Sequence, residues 1–147
     1  MKLVIQRTNK ASVKNKETGK IVGSIKKGLF VLVGVGPEDT RERVDLMVQK
    51  LLKLRIMADA NQKMNLSIKD VNAEVLVVSQ FTLFADTAKG NRPSFVKAAK
   101  PELAEKLYEY FVEEIEKQGV KVSIGTFGAY MEIKAELDGP VTILINN

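Results

Sequence analysis

The chain has 147 residues, of which 45% are hydrophobic and 28% are charged, and this composition predicts one globular domain over residues 1–147 rather than a disordered chain. It contains no cysteine and no histidine, which excludes disulfides, thiolate nucleophiles, cysteine-based zinc sites and a Ser-His-Asp triad. The formal net charge of +5 favours polyanionic partners such as nucleic acid, or it reflects solvated lysines alone.

The first part of the chain predicts three strands and a helix. Residues 3–7 and 21–25 have the pattern of two strands that flank a polar, glycine-containing hairpin at 14–20. The nearly continuous apolar run at 28–35 is typical of a strand buried on both faces. A proline ends this run, and helix-starting residues then precede an apolar helical face at residues 44, 47, 48, 51 and 52.

The middle of the chain predicts further strands and a second helix. Residues 54–58 are interpreted as a strand that ends in a turn, and residues 75–78 as a buried strand that runs into Ser79. The second amphipathic helix begins near Pro101, a favourable first-turn residue, and Gly119 is a C-terminal cap.

The end of the chain predicts two strands, 131–137 and 141–145, joined by a turn at 138–140. Strands outnumber helices, and the connections near the C-terminus are short. We therefore expect an α+β fold of mostly antiparallel β-sheets with two main helices packed on one side, a three-layer ββα arrangement.

The N-terminal residues carry charge at Lys2 and Arg7, before any apolar run that could serve as a signal peptide. No stretch of the chain approaches the roughly 18 apolar residues of a membrane span. We therefore expect a cytoplasmic protein with no membrane partner.

Two hydroxyls and an amide follow the buried strand, in the segment Ser79-Gln80-Phe81-Thr82-Leu83. At a strand end these groups can bind a polar substrate, and free backbone N–H groups can form an oxyanion hole. The alternative is a strand that continues with alternating polar and apolar residues. Without histidine, an enzyme built here has to use backbone groups, hydroxyls, carboxylates, lysines or its own substrate.

Gly139-Pro140 also has two interpretations. An Asp-Gly pair between two strands ordinarily marks a hairpin turn. Alternatively, because Pro140 has no N–H, the dipeptide presents carbonyl oxygens with few internal partners, and these can receive an ammonium group.

Three further positions in the sequence have both a functional and a purely structural interpretation. Phe95 either stacks on a base, within a basic loop at 90–95, or anchors that loop to the core. Lys63 and Asn65 either grip a nucleotide or belong to an ordinary passage from turn to strand. Arg7 is either a solubility device on an edge strand or a buried hydrogen-bond donor. The glutamates between residues 102 and 116 are interpreted as a solvated helix face.

Taken together, these segments resemble the D-aminoacyl-tRNA deacylase family, also called D-tyrosyl-tRNA deacylases. The resemblance covers nearly the whole chain, and the order and spacing of the motifs make it specific. The matching segments are 4–7 with 11–13, 28–34, 63–67, 75–83, 92–95, 101–104, 127–129 with Met131, and 139–142.

The resemblance implies a homodimer in which a cis Gly139-Pro140 bond of one chain reaches into the partner's active site. The two carbonyl groups of this dipeptide would hold the amino group of a D-aminoacyl or glycyl moiety and leave no space for an L side chain. Arg7 would hold the dipeptide in position. The catalytic segment facing the ester would be Ser79, Gln80, Phe81 and Thr82.

The implied substrate is aminoacyl-tRNA, bound through its 3′-terminal adenosine and hydrolysed to free amino acid and tRNA with help from the adenosine 2′-hydroxyl. D-aminoacyl-tRNA and glycyl-tRNA(Ala) are the expected substrates, and no metal, cofactor or DNA partner is expected. Substrate-binding roles fall on Gly139, Pro140, Arg7, Met131, Phe127, Lys63, Asn65 and Phe95.

The chain departs from the family pattern at a few positions. Leu137 replaces the asparagine expected before Asp138, Tyr130 stands where an acidic residue is common, and the hairpin at 14–20 is longer than usual. Two other classes of function remain open, a non-catalytic RNA-binding module and a metal-independent esterase for small substrates.

Overall fold

The computed structural model of the protein describes residues 1–146. None of the helices in this part of the chain is long and apolar enough to cross a membrane. The elements in chain order are β1 (Lys2–Asn15), β2 (Ile21–Ile25), β3 (Gly28–Gly34), α1 (Arg41–Lys53), β4 (Met57–Ala58), β5 (Met64–Leu66), β6 (Glu74–Ser79), a 3₁₀ helix (Phe81–Phe84), α2 (Pro101–Lys117), β7 (Val122–Ile124) and β8 (Met131–Asn146).

Strand β1 organises the main sheet. One edge of β1 pairs with the antiparallel strand β8 along nearly its whole length. The other edge pairs first with β3 and then, beyond residue 10, with β2, also antiparallel. Strands β6 and β7 continue the sheet parallel to β3. The connection from β3 to β6 contains α1, as expected because parallel neighbours need a long crossover.

The two faces of β3 and β6 bury two different cores, because successive side chains of a strand point to opposite faces. On one face, β3 and β6 residues such as Leu29 and Val77 pack against α1 and α2. On the other face, Phe30, Leu76 and Val78 pack against the β1–β2 hairpin, which folds over them. The molecule thus has three layers, and the expected α+β fold of ββα type with both helices on one side is confirmed.

The predicted helix boundaries are confirmed by their caps. The Thr40 hydroxyl accepts a hydrogen bond from the backbone N–H of Arg43 at the start of α1. Helix α2 begins with Pro101 at its first position, where a missing N–H has no cost. Gly119 follows α2 with φ +79°, the left-handed conformation of a C-terminal cap.

The predicted turn between the last two strands is wrong, because β8 is one strand that runs through it. Thr142 pairs with Gln6, and Leu137 pairs with Thr8, so the residues 138–141 of β8 oppose Arg7 alone. These residues form a bulge that projects from the sheet. The physical reason is the length of β1, which continues past residue 7 and offers a partner to both halves of β8.

Candidate active site

An open cavity of about 620 Å³ lies at the carboxyl ends of β3 and β6. Its walls come from Val33 and Val78 on the sheet, from the N-terminal half of α2, and from the loop that leads into β8. Six of the predicted site residues line it, namely Ser79, Gln80, Phe81, Phe95, Phe127 and Met131. The polar residues at the end of β6 therefore border a cavity, and their catalytic role stays a prediction.

The segment after β6 turns away from the sheet. The backbone N–H of Gln80 donates to the Val33 carbonyl over 2.7 Å, and a 3₁₀ helix then covers Phe81–Phe84. The alternative of a continuing strand is therefore wrong. The backbone N–H groups of Phe81 and Thr82 have no hydrogen-bond acceptor within residues 1–146, and the amide of Gln80 donates to the Thr82 hydroxyl. The turn thus leaves backbone donors beside the cavity.

Lys2 fastens the far end of this turn to the sheet. Its Nζ donates to the Leu83 carbonyl over 2.9 Å and lies 4.6 Å from the centroid of the Phe84 ring. Gly34 on β3 is close below, since a Cβ at Gly34 would lie 3.0 Å from the Leu83 Cβ. The position of the Ser79–Leu83 segment is therefore set by contacts to β1 and β3.

Phe95 closes one side of the cavity by packing on Phe81. Their rings are 5.0 Å apart and nearly perpendicular, a favourable edge-to-face contact. The loop that carries Phe95 is closed by two backbone hydrogen bonds between Asp86 and Ser94. A hydrogen bond from Lys97, followed by one from the Ala88 N–H, holds the pKa of Asp86 below its usual range. Phe95 therefore anchors its loop on Phe81 and lines the cavity, while its stacking on a base stays a prediction.

Tyr108 and Phe127 form an aromatic wall on the α2 side. The Tyr108 hydroxyl donates to the Val77 carbonyl over 2.9 Å, and its ring centroid is 5.8 Å from that of Phe127. Burial raises the pKa of the Tyr108 phenol, so this group stays neutral in the physiological range. Tyr108 is thus a structural member of the wall rather than an acid or base.

The residues that line the cavity include no aspartate, glutamate, lysine or arginine. Within residues 1–146, no cluster of three or more acidic, histidine or cysteine side chains could hold a metal ion. The arrangement can bind a planar, largely apolar group and can polarise a carbonyl group through backbone donors. It offers no side chain that could act as a general base near neutral pH.

Arg7 belongs to a second group of predicted residues. Its side chain is buried, and Nη1 donates to the Ile56 carbonyl over 2.8 Å. Its Nε lies 2.9 Å from Oδ2 of Asp138, an ion pair in which the N–H is not directed at the oxygen. Arg7 is therefore the buried donor of the two alternatives, and not a solubility device. Its ion-pair partner Asp138 belongs to the β8 bulge that carries Gly139-Pro140.

Gly139 and Pro140 are joined by a cis peptide bond, and both are exposed. Neither lines the cavity of its own chain. Arg7, opposite the bulge, pairs with Leu29 of β3, whereas Ser79 pairs with Val33, four residues further along. This offset is about 13 Å along the strands, and β1 and β3 also lie between β8 and β6. Within one chain, the dipeptide and the Ser79 segment are apart.

Lys63 and Asn65 form a third group, in the separate β4–β5 hairpin. The Asp59 carboxylate accepts a 2.7 Å hydrogen bond from the Asn65 amide and a 2.9 Å bond from the backbone N–H of Lys63. The Asn65 bond, followed by the Lys63 bond, lowers the pKa of Asp59. Both residues thus help to build the hairpin turn, and neither lines the cavity of the chain.

Sequence reasoning missed two residues of this region as site residues. Tyr130 lines the cavity although 71% of its surface is exposed, and Lys2 holds the 3₁₀ helix. The signal for Tyr130 was present, because it departs from the family pattern beside Met131. Lys2 gave no signal, since a lysine near a chain end is usually solvated.

Comparison with known proteins identifies the family of the chain. The family model described as D-Tyr-tRNA(Tyr) deacylase matches residues 4–146. D-aminoacyl-tRNA deacylases of Thermosipho melanesiensis and Desulfatibacillum aliphaticivorans are each 52% identical to the chain, cover 100% of it, and are themselves covered over 97% and 99% of their lengths.

Two solved structures share the fold. The c-Myc DNA unwinding element binding protein superposes with a TM-score of 0.92 at 40% identity, over 100% of this chain and 99% of its own. A probable eukaryotic D-amino acid tRNA deacylase superposes with a TM-score of 0.86 at 18% identity, over 98% of this chain and 97% of its own. The chain therefore belongs to the D-aminoacyl-tRNA deacylase family.

Proposed function

We propose that this protein hydrolyses the ester bond of D-aminoacyl-tRNA, and of glycyl-tRNA(Ala), to release free amino acid and tRNA. The observation that carries the proposal is the cavity at the end of β6, which joins free backbone donors to an apolar, aromatic wall without any acid or base. Such a site suits a substrate that brings its own reactive hydroxyl. Family membership supplies the substrate class.

The terminal adenosine of the tRNA occupies the cavity beside Phe127, Met131 and Phe95. Two aromatic side chains and a methionine offer a base both stacking and polarisable contacts. The ester then lies at the Ser79–Thr82 segment, where the N–H groups of Phe81 and Thr82 are free. These N–H groups stabilise the negative charge that develops on the carbonyl oxygen.

The reaction uses a water molecule and the adenosine 2′-hydroxyl. Water attacks the ester carbon, and the bond from that carbon to the ribose 3′-oxygen breaks. The neighbouring 2′-hydroxyl relays a proton from the attacking water to the departing 3′-oxygen, so that no protein base is required. The Thr82 hydroxyl accepts a hydrogen bond from the Gln80 amide, which orders the segment without activating Thr82 as a nucleophile.

The proposed active unit is a homodimer. Strand β8 pairs with β1 on one edge, and among the described strands its other edge has no partner. This long edge also exposes Leu137 and Leu144, which are 43% and 74% accessible. Long exposed edges with apolar side chains are usually covered in native proteins. A second copy would cover the edge and receive the projecting Gly139-Pro140 bulge.

The bulge acts as a chiral gate in the partner's cavity. The carbonyl oxygens of Gly139 and Pro140 hold the ammonium group of the substrate, and Arg7 with Asp138 fixes their position. An L side chain would collide with this backbone, while a hydrogen atom or a D side chain points away. Discrimination by collision is stronger than discrimination by one added contact.

The proposal also includes contacts between the protein and the tRNA outside the cavity. Lys63 and Asn65 lie outside the cavity of their own chain and contact the tRNA from the β4–β5 hairpin, where the Lys63 side chain is exposed.

The proposed substrate and reaction imply a role in translation quality control, in the cytoplasm. The positive net charge supports tRNA binding and no membrane partner is invoked.

The deciding experiment compares D-Tyr-tRNA, L-Tyr-tRNA and Gly-tRNA(Ala) under turnover conditions, with release of amino acid as the readout. We expect release from the D and glycyl substrates and retention of the L ester. Binding of tRNA without release would instead support the non-catalytic RNA-binding module. Activity that survives removal of the RNA portion would support a general esterase.

A second substrate tests the role of the RNA. D-Tyr-tRNA that ends in 2′-deoxyadenosine keeps the amino acid, the ester and the base but lacks the proposed relay. We expect its cleavage to fall by at least about 10²-fold, the size of a lost proton-transfer group. Cleavage at the normal rate would contradict assistance by the substrate.

A further inference from the structure

We infer that Tyr130 and Lys16 form a second nucleotide subsite at the mouth of the cavity, for the nucleotide that precedes the terminal adenosine. The Tyr130 ring stacks on the base of that nucleotide, and the Lys16 ammonium group binds the phosphate that joins the two nucleotides. This inference rests on the proposed function, because it assumes that the cavity holds the adenosine.

Tyr130 is held in place by its backbone, while its ring is exposed. The Tyr130 carbonyl accepts a 2.9 Å hydrogen bond from the backbone N–H of Lys16, which ties the loop before β8 to the β1–β2 hairpin. The side chain nevertheless leaves 71% of its surface accessible and borders the cavity. A fixed and exposed aromatic ring at the mouth of a pocket is a stacking platform for an unpaired base.

Lys16 places a cation beside this ring. Its Nζ lies 5.3 Å from the centroid of the Tyr130 ring, and no carboxylate of residues 1–146 forms an ion pair with it. The hairpin that carries Lys16 is ordered by the buried Asn15, whose side-chain oxygen accepts the N–H groups of Glu17 and Thr18 over 2.9 and 3.1 Å. The cation is therefore presented by a fixed turn.

An aromatic face next to a lysine matches the chemistry of a nucleotide, which joins a flat base to an anionic phosphate. A single strand that leaves the cavity must pass its mouth, where this pair lies. The segment 90–100 offers a competing path, but its Lys97 is paired with Asp86 over 2.8 Å, and its one aromatic side chain, Phe95, packs on Phe81. We therefore place the preceding nucleotide on the Tyr130 side.

The experiment uses two non-hydrolysable probes, D-tyrosyl 3′-amino-3′-deoxyadenosine and the same compound extended by a 5′-linked cytidylyl nucleotide. Their dissociation constants are measured by direct titration of the full-length protein. For the unaltered protein we expect the extended probe to bind about tenfold more tightly, since one stacked base contributes on that order. Equal binding of the two probes would overturn the inference.

Four variants test whether Tyr130 and Lys16 account for the tighter binding of the extended probe. Tyr130→Ala should abolish this advantage by weakening the extended probe about tenfold, with a much smaller effect on the shorter probe, while Tyr130→Phe should keep the advantage. Lys16→Met should reduce the advantage of the extended probe. It should also lower the slope of log K against log salt concentration for that probe by about 1, as expected for the loss of one phosphate contact. Lys20→Met, a change to an exposed lysine of the same hairpin, is the matched control and should alter neither probe.

Two outcomes distinguish the proposed subsite from other roles of Tyr130 and from the proposed reaction. If Tyr130→Ala weakens both probes equally or shifts the protein towards monomer in sedimentation, Tyr130 is a wall or interface residue and the subsite is wrong. If the protein does not cleave D-Tyr-tRNA but the extended probe keeps its Tyr130-dependent advantage, the proposed reaction fails and the subsite stands.

Discussion

The Nε of Arg7 lies 2.9 Å from Oδ2 of Asp138, the residue that immediately precedes Gly139. The same guanidinium donates from Nη1 to the Ile56 carbonyl, just before strand β4. One buried cation of β1 therefore joins the β8 bulge to the β4–β5 hairpin. We therefore expect the shape of the bulge to depend on a residue that does not line the cavity of its own chain.

Replacing Arg7 by lysine tests this dependence. A lysine is a point charge on a flexible stem and cannot serve Asp138 and the Ile56 carbonyl together as a planar guanidinium does. We expect Arg7→Lys to lower the free energy of unfolding by about 1–3 kcal/mol and to reduce the preference for D- over L-Tyr-tRNA. Urea denaturation and the two deacylation rates measure these effects.

The matched control is Lys10→Met. Lys10 also joins β1 to β8, through an exposed ion pair of 3.1 Å with Glu136. Exposed pairs of this kind contribute little, so the change in unfolding free energy should stay within about 0.5 kcal/mol and selectivity should not change. An Arg7→Lys protein that behaves like this control would show that the bulge does not depend on Arg7.

Gly139→Ala probes the bulge directly. Gly139 has φ +131°, and an added Cβ would lie 2.7 Å from the Val141 backbone nitrogen. We expect a loss of about 1–3 kcal/mol in unfolding free energy from this strain. We also expect deacylation of D-Tyr-tRNA to be almost completely lost, because the methyl group intrudes on the substrate.

Gly119→Ala separates strain from function. Gly119 also has positive φ, +79°, but an added Cβ there meets nothing within 4 Å. This variant should lose about 1 kcal/mol of stability with full activity and selectivity. If Gly139→Ala keeps full activity and selectivity as well, the gate is wrong.

Thr82→Ala tests whether the hydroxyl is a nucleophile. The Thr82 hydroxyl has the Gln80 amide as its hydrogen-bond partner, and the adjoining cavity is lined by no carboxylate or lysine. We expect the variant to keep kcat within about tenfold, because backbone donors and the substrate hydroxyl carry the reaction. Single-turnover kinetics measure the deacylation rate of the variant, and its thermal melting temperature shows whether it is folded. A complete loss of activity in a folded Thr82→Ala protein would revive the nucleophile model.

The pH dependence of the rate distinguishes the two kinds of mechanism. Burial raises the pKa of Tyr108, so its phenol stays protonated throughout the neutral range, and no carboxylate, lysine or arginine lines the cavity. The α-amino group of the substrate loses its proton near pH 8, and KM should rise above that pH because the gate binds the charged form. An inflection of kcat between pH 4 and 7 would implicate an enzyme carboxylate and contradict the account.

Local patterns predicted the helices and the buried strands well, because caps and apolar spacing are properties of neighbouring residues. Thr40 and Pro101 begin the two helices as expected. The length of β1 could not be predicted from its own residues. Its second half alternates polar residues with Ala11 and Val13, and its extent is set by pairing with β8, which is distant in sequence. The turn expected at Gly139-Pro140 failed for the same reason.

The site was predictable in its parts but not in its assembly. The end of β6 and the absence of histidine already indicated a site without a side-chain base. No local pattern could place Gly139-Pro140 away from Ser79, because that separation follows from the register of four strands. The positions of Tyr130 and Lys16 likewise depend on a loop and a hairpin that meet only in the folded chain.

The most direct test of the central claim, that two chains build each active site, is a mixture of two inactive variants. Ala129→Trp fills the cavity, and Gly139→Ala disables the gate. Unfolding and refolding the two together forms mixed dimers, each with one intact cavity facing one intact gate. We predict that about a quarter of the unaltered D-Tyr-tRNA deacylation rate returns, since half of the random dimers are mixed and each restores one of two sites. No recovery above the separate variants, with mixed dimers demonstrably present, would contradict the account.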